Sequence, residues 1–263
     1  MSKLKALIFD VDGTLADTER DGHRVAFNRA FRDAGLSWFW SEEVYADLLA
    51  VTGGKERIRF FVDKYQPPSV PTEDFPQFVK TLHQSKTRYF VALLESGAIP
   101  LRPGVERLIK EARSADLRLA IATTTTPENV TVLLKATLGT QSIGWFEVIS
   151  AGDVVTNKKP APDVYLNALQ AMHLDADECL AFEDSNNGLK ASMQAGVQTM
   201  VTVNAYTRHE DFSGAVLVLD QLGEPESSFK VLSGDADDAS YVDVPMIERI
   251  FDANKQSANN LAS

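Results

Sequence analysis

Hydrophobic residues along this chain form two alternating patterns, short continuous runs and stripes with helical spacing. The first run, Ala6–Phe9, has the unbroken apolar character of a strand that is buried on both faces of a parallel sheet. Similar runs follow at 117–122, 146–150, 179–182, 197–203 and 216–219. Between them, apolar residues recur every three or four positions, as in amphipathic helices. This alternation predicts an α/β fold, a Rossmann-like parallel sheet with helices on both faces.

A helical block interrupts the alternation between the first run and the second. From residue 17 to residue 96, four successive segments have helical spacing, and glycine or proline residues separate them. We therefore predict two domains, an α/β core built from residues 1–16 and 97–263 and an inserted all-helical cap, 17–96. The strand series ends by about residue 225, and beyond it we expect only a terminal helix, around 246–253.

Charge and composition narrow the classes of partner. The 263 residues carry a formal net charge of −11, which argues against nucleic acid or anionic lipid as a partner, since both require clustered lysine and arginine. The one cysteine, Cys179, rules out an internal disulfide and fits a reducing compartment. No segment resembles a signal peptide, and no apolar run approaches the roughly 20 residues that span a membrane. We expect a monomeric, cytoplasmic protein that acts on a small molecule.

Polar groups follow four of the predicted strands, and the carboxyl ends of parallel strands meet at one edge of a sheet, where ligands bind. Each group alone has a structural explanation: Asp-x-Asp-Gly is a common turn, and acidic or hydroxyl residues often cap a helix. Four such groups at four strand ends favour a shared functional site instead. In chain order, the residues are Asp10 and Asp12, then Thr123 and Thr124, then Lys159, and finally Glu183 and Asp184.

Asp10 and Asp12 carry the most specific chemical information. Side chains alternate along an extended chain, so both carboxylates point to the same side of the strand end. Because two neighbouring carboxylates resist simultaneous ionisation, the pair needs a cation, a shared proton or a division of roles.

These motifs resemble the four signature motifs of the haloacid dehalogenase superfamily. They are Asp10-Val-Asp-Gly-Thr14, a hydroxyl residue after the second strand, Lys159-Pro160 and Glu183-Asp184. The helical block after the first motif is similar to the C1-type cap of the subgroup that includes the β-phosphoglucomutases. The second aspartate, Asp12, is typical of the phosphatases and phosphomutases and is lacking in the dehalogenases proper.

The resemblance implies a division of roles at the strand ends. Asp10 is the expected nucleophile, which forms an aspartyl phosphate, and Asp12 is the expected acid and base. Thr123 and Lys159 are expected to hold the oxygens of the transferring phosphoryl group. The expected cofactor is Mg²⁺, with Asp10, the main-chain carbonyl of Asp12 and Asp184 as ligands and Glu183 in support.

Two stretches of the cap, residues 17–28 and 52–58, resemble the CbbY group. This group implies hydrolysis of xylulose 1,5-bisphosphate, an inhibitor of Rubisco, in association with the Calvin cycle. The expected substrate contacts come mainly from the cap, where a lysine at a helix start can meet the second phosphate. The expected substrate-binding residues are Glu19, His23, Gly53, Gly54, Lys55 and Thr124, with Arg57 and Lys190 as weaker candidates.

Two other functional classes remain open at this point. A phosphomutase resembling β-phosphoglucomutase, or a sugar phosphate phosphatase of broader specificity, would use the same core motifs. A metabolite-sensing scaffold without catalysis would have lost Asp10 or Asp12, and both are present. The motifs therefore favour an enzyme that acts on a sugar phosphate, but they do not separate a phosphatase from a phosphomutase.

Overall fold

The computed structural model of the protein describes residues 3–70 and 73–261, with side chains as far as residue 255. Seven strands form one sheet in the order β3-β2-β1-β4-β5-β6-β7, with β1 at its centre. The strands are β1 Ala6–Phe9, β2 Arg118–Thr123, β3 Val148–Ala151, β4 Cys179–Glu183, β5 Gln198–Thr202, β6 Leu217–Leu219 and β7 Val231–Gly234.

Strand register brings the predicted site residues to one edge. Strands β1 to β6 are parallel, and Phe9 at the end of β1 is aligned with Ile121 of β2 and Phe182 of β4. The residues that follow these three positions therefore emerge side by side, as the rule for parallel sheets requires. The predicted α/β fold class is confirmed.

Nine α-helices lie within the described residues, and their bounds follow the apolar stripes. Ser41 and Asp74 are N-caps, because the side chain of each accepts a hydrogen bond, at 3.2 Å, from the main-chain N–H three residues later. The helices are α1 Arg24–Asp33, α2 Glu42–Leu48, α3 Gly54–Tyr65, α4 Phe75–Glu95, α5 Val105–Ser114, α6 Pro127–Leu138, α7 Asp163–Met172, α8 Asn186–Gln194 and α9 Val244–Leu261. Within the described residues, none of them combines the length and the apolarity that a membrane span requires.

Helices α1 to α4 pack around an apolar cluster of their own. Phe27, Phe31 and Trp40 form its centre, and their rings lie 4.5 to 6.0 Å apart. The two chain connections to the core run side by side, where Ala16 and Leu101 form an isolated bridge. This packing supports the proposed division into a core and an inserted cap.

The prediction for the C-terminal part was wrong in one respect. Strand β7 pairs antiparallel with β6, so the sheet is mixed and extends beyond residue 225. Helix α9 begins near the predicted position and buries Ile247 and Phe251 in the core. The strand was missed because all four of its residues are exposed at the edge of the sheet, and an exposed edge strand has no buried face to produce an apolar pattern.

Candidate active site

A cavity of about 650 Å³ lies between the cap and the carboxyl edge of the sheet. With the exception of Glu183, all of the predicted site residues line it, including those that come from the cap. They are Asp10, Asp12, Glu19, His23, Gly53, Gly54, Lys55, Thr123, Thr124, Lys159 and Asp184. The fold therefore brings together residues of the proposed cap and of the proposed core that are up to 174 positions apart (184 − 10).

Lys159 joins two buried carboxylates at the end of the sheet. Its Nζ atom lies 2.6 Å from Oδ1 of Asp10 and 2.6 Å from Oε1 of Glu183. The hydroxyl of Tyr165 also donates to Oε1 of Glu183. Burial alone would lower the pKa of Lys159. The charges of Asp10 and Glu183 and their hydrogen bonds to Lys159 outweigh the effect of burial and raise the pKa of Lys159 above its ordinary value. Lys159 is therefore a permanent cation beside the predicted nucleophile.

Negative charge is in excess around this lysine. Oxygen atoms of Asp10, Glu183 and Asp184 lie within 4.8 Å of one another, and all three residues are buried. Burial raises the pKa of Asp10 to about 7, with Lys159 opposing the shift and Glu183 adding to it. Burial, Asp10 and Glu183 raise the pKa of Asp184 well above its ordinary value. Burial and the mutual repulsion of the three carboxyl groups thus account for both shifts.

Two details indicate that the acidic group fits a hard cation such as Mg²⁺. Oε2 of Glu183 is buried without a hydrogen-bond partner in the described part of the chain. The turn after β1 also makes room for Asp184, because a methyl group on Gly13 would lie 2.1 Å from Oδ2 of Asp184. Gly13 has a φ of 92°, which other residues rarely adopt. A buried set of carboxylate oxygens is the ligand type that Mg²⁺ requires.

Asp12 has a different environment from Asp10. Nε2 of His23 lies 2.9 Å from Oδ1 of Asp12, and the hydroxyl of Thr18 donates to the same oxygen at 2.6 Å. Burial raises the pKa of Asp12, but His23, Thr18 and Lys86 together outweigh it and hold that pKa below its ordinary value. The two aspartates are thus electrostatically distinct although they are two residues apart.

His23 does not have the free nitrogen that a contact with the sugar would need. Nζ of the buried Lys86 lies 2.7 Å from Nδ1 of His23, and the ring stacks on Phe90 with the centroids 3.9 Å apart. A protonated lysine can only donate, so Nδ1 accepts and Nε2 carries the hydrogen that is donated to Asp12. The contacts of His23 therefore favour positioning of Asp12 over the predicted contact with sugar hydroxyls.

The cap end of the cavity carries a second group of charges. Nζ of Lys55, at the start of α3, lies 2.5 Å from Oδ2 of Asp153, and Nζ of Lys158 lies 3.0 Å from Oδ1. Lys55 is therefore available to an anion only in competition with Asp153.

Glu19, which was predicted to contact the sugar, already has partners in the protein. Its Oε2 atom accepts hydrogen bonds from the hydroxyl of Tyr45 and from Arg57.

Several residues of the site were not predicted. Lys86 had a signal in the sequence, since it lies four residues after Leu82 and four before Phe90, within the apolar stripe of α4. A lysine at such a position must be buried or distort the helix packing. Thr18, Tyr165 and Asp153 had no comparable signal, because their roles depend on contacts between distant segments.

Comparisons with known proteins agree with this geometry. The family model of haloacid dehalogenase-like hydrolases matches residues 4–196. The chain is 47% identical to the plasmid protein CbbY of Cupriavidus necator over 222 residues, 84% of this chain and 87% of the relative. It is 45% identical to a solved mutant CbbY from Rhodobacter sphaeroides in complex with xylulose 1,5-bisphosphate, with a TM-score of 0.78 over 83% of this chain and 94% of that one. The β-phosphoglucomutase of Clostridium difficile shares the fold at 19% identity, with a TM-score of 0.73 over 95% and 98% of the two chains.

Proposed function

This chain belongs to the haloacid dehalogenase-like hydrolase family and is a phosphatase similar to CbbY, and we propose that it hydrolyses xylulose 1,5-bisphosphate with Mg²⁺ and an aspartyl phosphate intermediate. The observation that carries the proposal is the division of the aspartate pair. Asp10 is held by a lysine and Asp12 by a histidine at the wall of one cavity. Such a difference in environment is what separate nucleophile and acid–base roles require.

Asp10 is the proposed nucleophile. One carboxylate oxygen attacks phosphorus, the bond from phosphorus to the sugar oxygen breaks, and the electron pair leaves on that oxygen. Lys159, 2.6 Å from Oδ1, offsets the charge of Asp10 and of the phosphoryl oxygens that approach it. Thr123, which lies at the end of β2 and lines the cavity, is the proposed hydroxyl donor to those oxygens.

Asp12 is the proposed acid and base. Both of its hydrogen bonds fall on Oδ1, and within the described residues nothing bonds to Oδ2, which is the proposed site of proton transfer. The negative charge of a phosphate dianion that binds beside Asp12 raises the pKa of Asp12. The carboxyl group of Asp12 is therefore protonated when the substrate is in place. It then gives the proton to the departing sugar oxygen. The resulting carboxylate removes a proton from the water that attacks the aspartyl phosphate, which releases phosphate and restores Asp10.

The proposed ligands of Mg²⁺ are Asp10, Asp184 and the main-chain carbonyl of Asp12, supported by Glu183. When bound, the cation supplies charge neutralisation for the phosphoryl group and for the acidic residues. Within the chain itself, Asn204 holds Asp184 through a hydrogen bond of 2.7 Å to Oδ2, and Lys159 holds Glu183 at 2.6 Å. These contacts orient the carboxylates before a cation arrives.

The proposed substrate follows from the similarity to CbbY and from the charges of the cavity. Lys55 and Lys158, at the cap end, offer positive charge for a second phosphate away from Asp10. Removal of xylulose 1,5-bisphosphate, in association with the Calvin cycle, is the proposed biological role. The monomeric state and the cytoplasmic location remain predictions.

The proposal is tested by phosphate release from a panel of monophosphorylated and bisphosphorylated sugars in the presence of Mg²⁺. We expect the highest kcat/KM for xylulose 1,5-bisphosphate. Preference for a monophosphate would overturn the substrate assignment. Conversion of β-glucose 1-phosphate to glucose 6-phosphate, dependent on a bisphosphate activator and with little release of phosphate, would assign the chain to the phosphomutases instead.

A further inference from the structure

His83 is a polar residue of the cavity wall that the proposed mechanism leaves unused. It lies on α4, three residues before Lys86, and therefore on the same face of the helix. Its ring rests against the first residue of α3, since a methyl group on Gly54 would lie 2.5 Å from Nε2. Gly54 is followed directly by Lys55. His83 thus lies one helical turn from Lys86 and against the residue that precedes Lys55.

The imidazole of His83 is neutral at physiological pH. Burial lowers its pKa to about 3, and the charges of Lys86 and Lys55 lower it in the same direction. A neutral imidazole has one N–H donor and one acceptor nitrogen. This matches a hydroxyl group, which both donates and accepts, better than it matches a phosphate, which mainly accepts.

His83 also differs from His23 in what its nitrogens contact. Both nitrogens of His23 are engaged by Asp12 and Lys86. Neither ring nitrogen of His83 has a hydrogen-bond partner within residues 3–70 and 73–255. Because His83 lines the cavity, both nitrogens are available to a ligand that enters it.

We propose that His83 binds a hydroxyl or keto oxygen of the carbon chain between the two phosphate groups and so selects a sugar over other bisphosphates. The inference rests on the proposed function, because it requires a substrate with a phosphate at each end. A site that is built to bond a hydroxyl group discriminates against an analogue that lacks it, since the polar group of the protein is then left unpaired. His83 is accordingly a specificity-determining residue.

The test compares two substrates of equal length, xylulose 1,5-bisphosphate and pentane-1,5-diol bisphosphate, which has no hydroxyl or keto group. The ratio of their kcat/KM values is measured for wild type, His83→Phe, His83→Gln and the control His209→Phe. His209 is exposed and does not line the cavity. We expect His83→Phe to lower the ratio about five- to hundredfold, the cost of an unpaired polar group. His83→Gln keeps a donor and an acceptor, so we expect its ratio to stay close to the wild-type value. The control His209→Phe should not change the ratio.

The possible failures are distinct. If His83→Phe lowers both kcat/KM values equally, or changes neither, His83 does not bind the carbon chain. If the wild type hydrolyses both bisphosphates equally well, no residue selects the sugar and the inference is overturned. If the wild type hydrolyses p-nitrophenyl phosphate but neither bisphosphate, the proposed function fails and the inference with it. Circular dichroism tests whether each variant is folded. If His83→Phe is unfolded, the ratio of the two kcat/KM values is compared between wild type and His83→Gln.

Discussion

Nε2 of His23, in the first turn of the cap, lies 2.9 Å from Oδ1 of Asp12 at the end of the first core strand. This bond spans the boundary between cap and core, so the orientation of the proposed acid and base depends on the position of the cap. A second contact acts in the same sense, because the hydroxyl of Thr52 in the cap donates to the main-chain carbonyl of Lys159 in the core. We therefore expect closure of the proposed cap over a substrate to place both of the proposed catalytic groups, Asp12 and Lys159.

Asp10→Asn is expected to abolish nearly all phosphate release while the protein stays folded. The amide keeps the shape of the carboxylate but is a poor nucleophile. Excess chelator is expected to abolish wild-type activity as well, since it removes the cation that offsets the buried acidic group. Phosphate release and circular dichroism are measured on the same samples. Substantial turnover by Asp10→Asn, or full activity in chelator, would contradict the proposed mechanism.

Asp12→Asn is expected to lower kcat by about 10²- to 10⁴-fold, the usual contribution of a general acid or base. Its proposed metal contact is through the main chain, so the activating concentration of Mg²⁺ should stay near the wild-type value. Steady-state kinetics across a Mg²⁺ titration measure both quantities. A variant within a few-fold of wild type would show that another group moves the proton.

Lys86 is expected to impose a descending limb on the pH profile of kcat/KM. Burial lowers the pKa of Lys86 to about 8, with Arg57 adding to the shift and Asp12 and Glu19 opposing it. Below that pH the protonated lysine donates to Nδ1 of His23, and above it the charge is lost. Because Lys86 holds His23 and His23 in turn holds Asp12, loss of this charge disturbs the proposed acid and base. We therefore expect kcat/KM to fall as the pH rises through about 8.

Lys86→Arg tests this assignment, because the guanidinium stays charged over the whole accessible range. The descending limb should move to higher pH, whatever the activity at the optimum. Lys110→Arg is a matched control on the exposed surface, where Lys110 pairs with Glu106. An unchanged limb in Lys86→Arg would assign the titration to another group.

Lys55→Ala is expected to weaken hydrolysis of a sugar bisphosphate relative to that of p-nitrophenyl phosphate. A charge-assisted hydrogen bond contributes about 1.5 to 3 kcal/mol, so the ratio of the two kcat/KM values should fall some ten- to hundredfold. Taking the ratio within one protein removes the effect of partial misfolding. An unchanged ratio would show that the second phosphate binds elsewhere.

Asp153→Asn is expected to change the same ratio in the opposite direction. Asp153 lies 2.5 Å from the Nζ atom of Lys55 and 3.0 Å from that of Lys158, and it shares the charge that a second phosphate needs. Without the carboxylate, both lysines are free to meet the substrate, and KM for the bisphosphate should fall. A rise in KM would mean that the ion pair closes the cap and does not compete with the substrate.

The sequence by itself determined the order of strands and helices and the residues at the strand ends. Both depend on local physics, because apolar periodicity reports which face of a segment is buried. Because the carboxyl ends of parallel strands meet at one edge of a sheet, the sequence also predicted that four residues lie close together: Asp10, Thr123, Lys159 and Asp184. The prediction failed at β7, where the strand is exposed and no burial pattern forms.

Only the tertiary structure decided which partner each polar group has. Lys86 meets His23 across 63 positions of sequence, and Lys159 meets Asp10 across 149. The burial and the neighbouring charges that raise the pKa of Asp10 and lower that of Asp12 arise from such distant pairings, which periodicity does not encode. For the same reason the sequence identified His23 as a residue of the site, whereas its contacts with Asp12 and Lys86 came from the packing of the cap on the core.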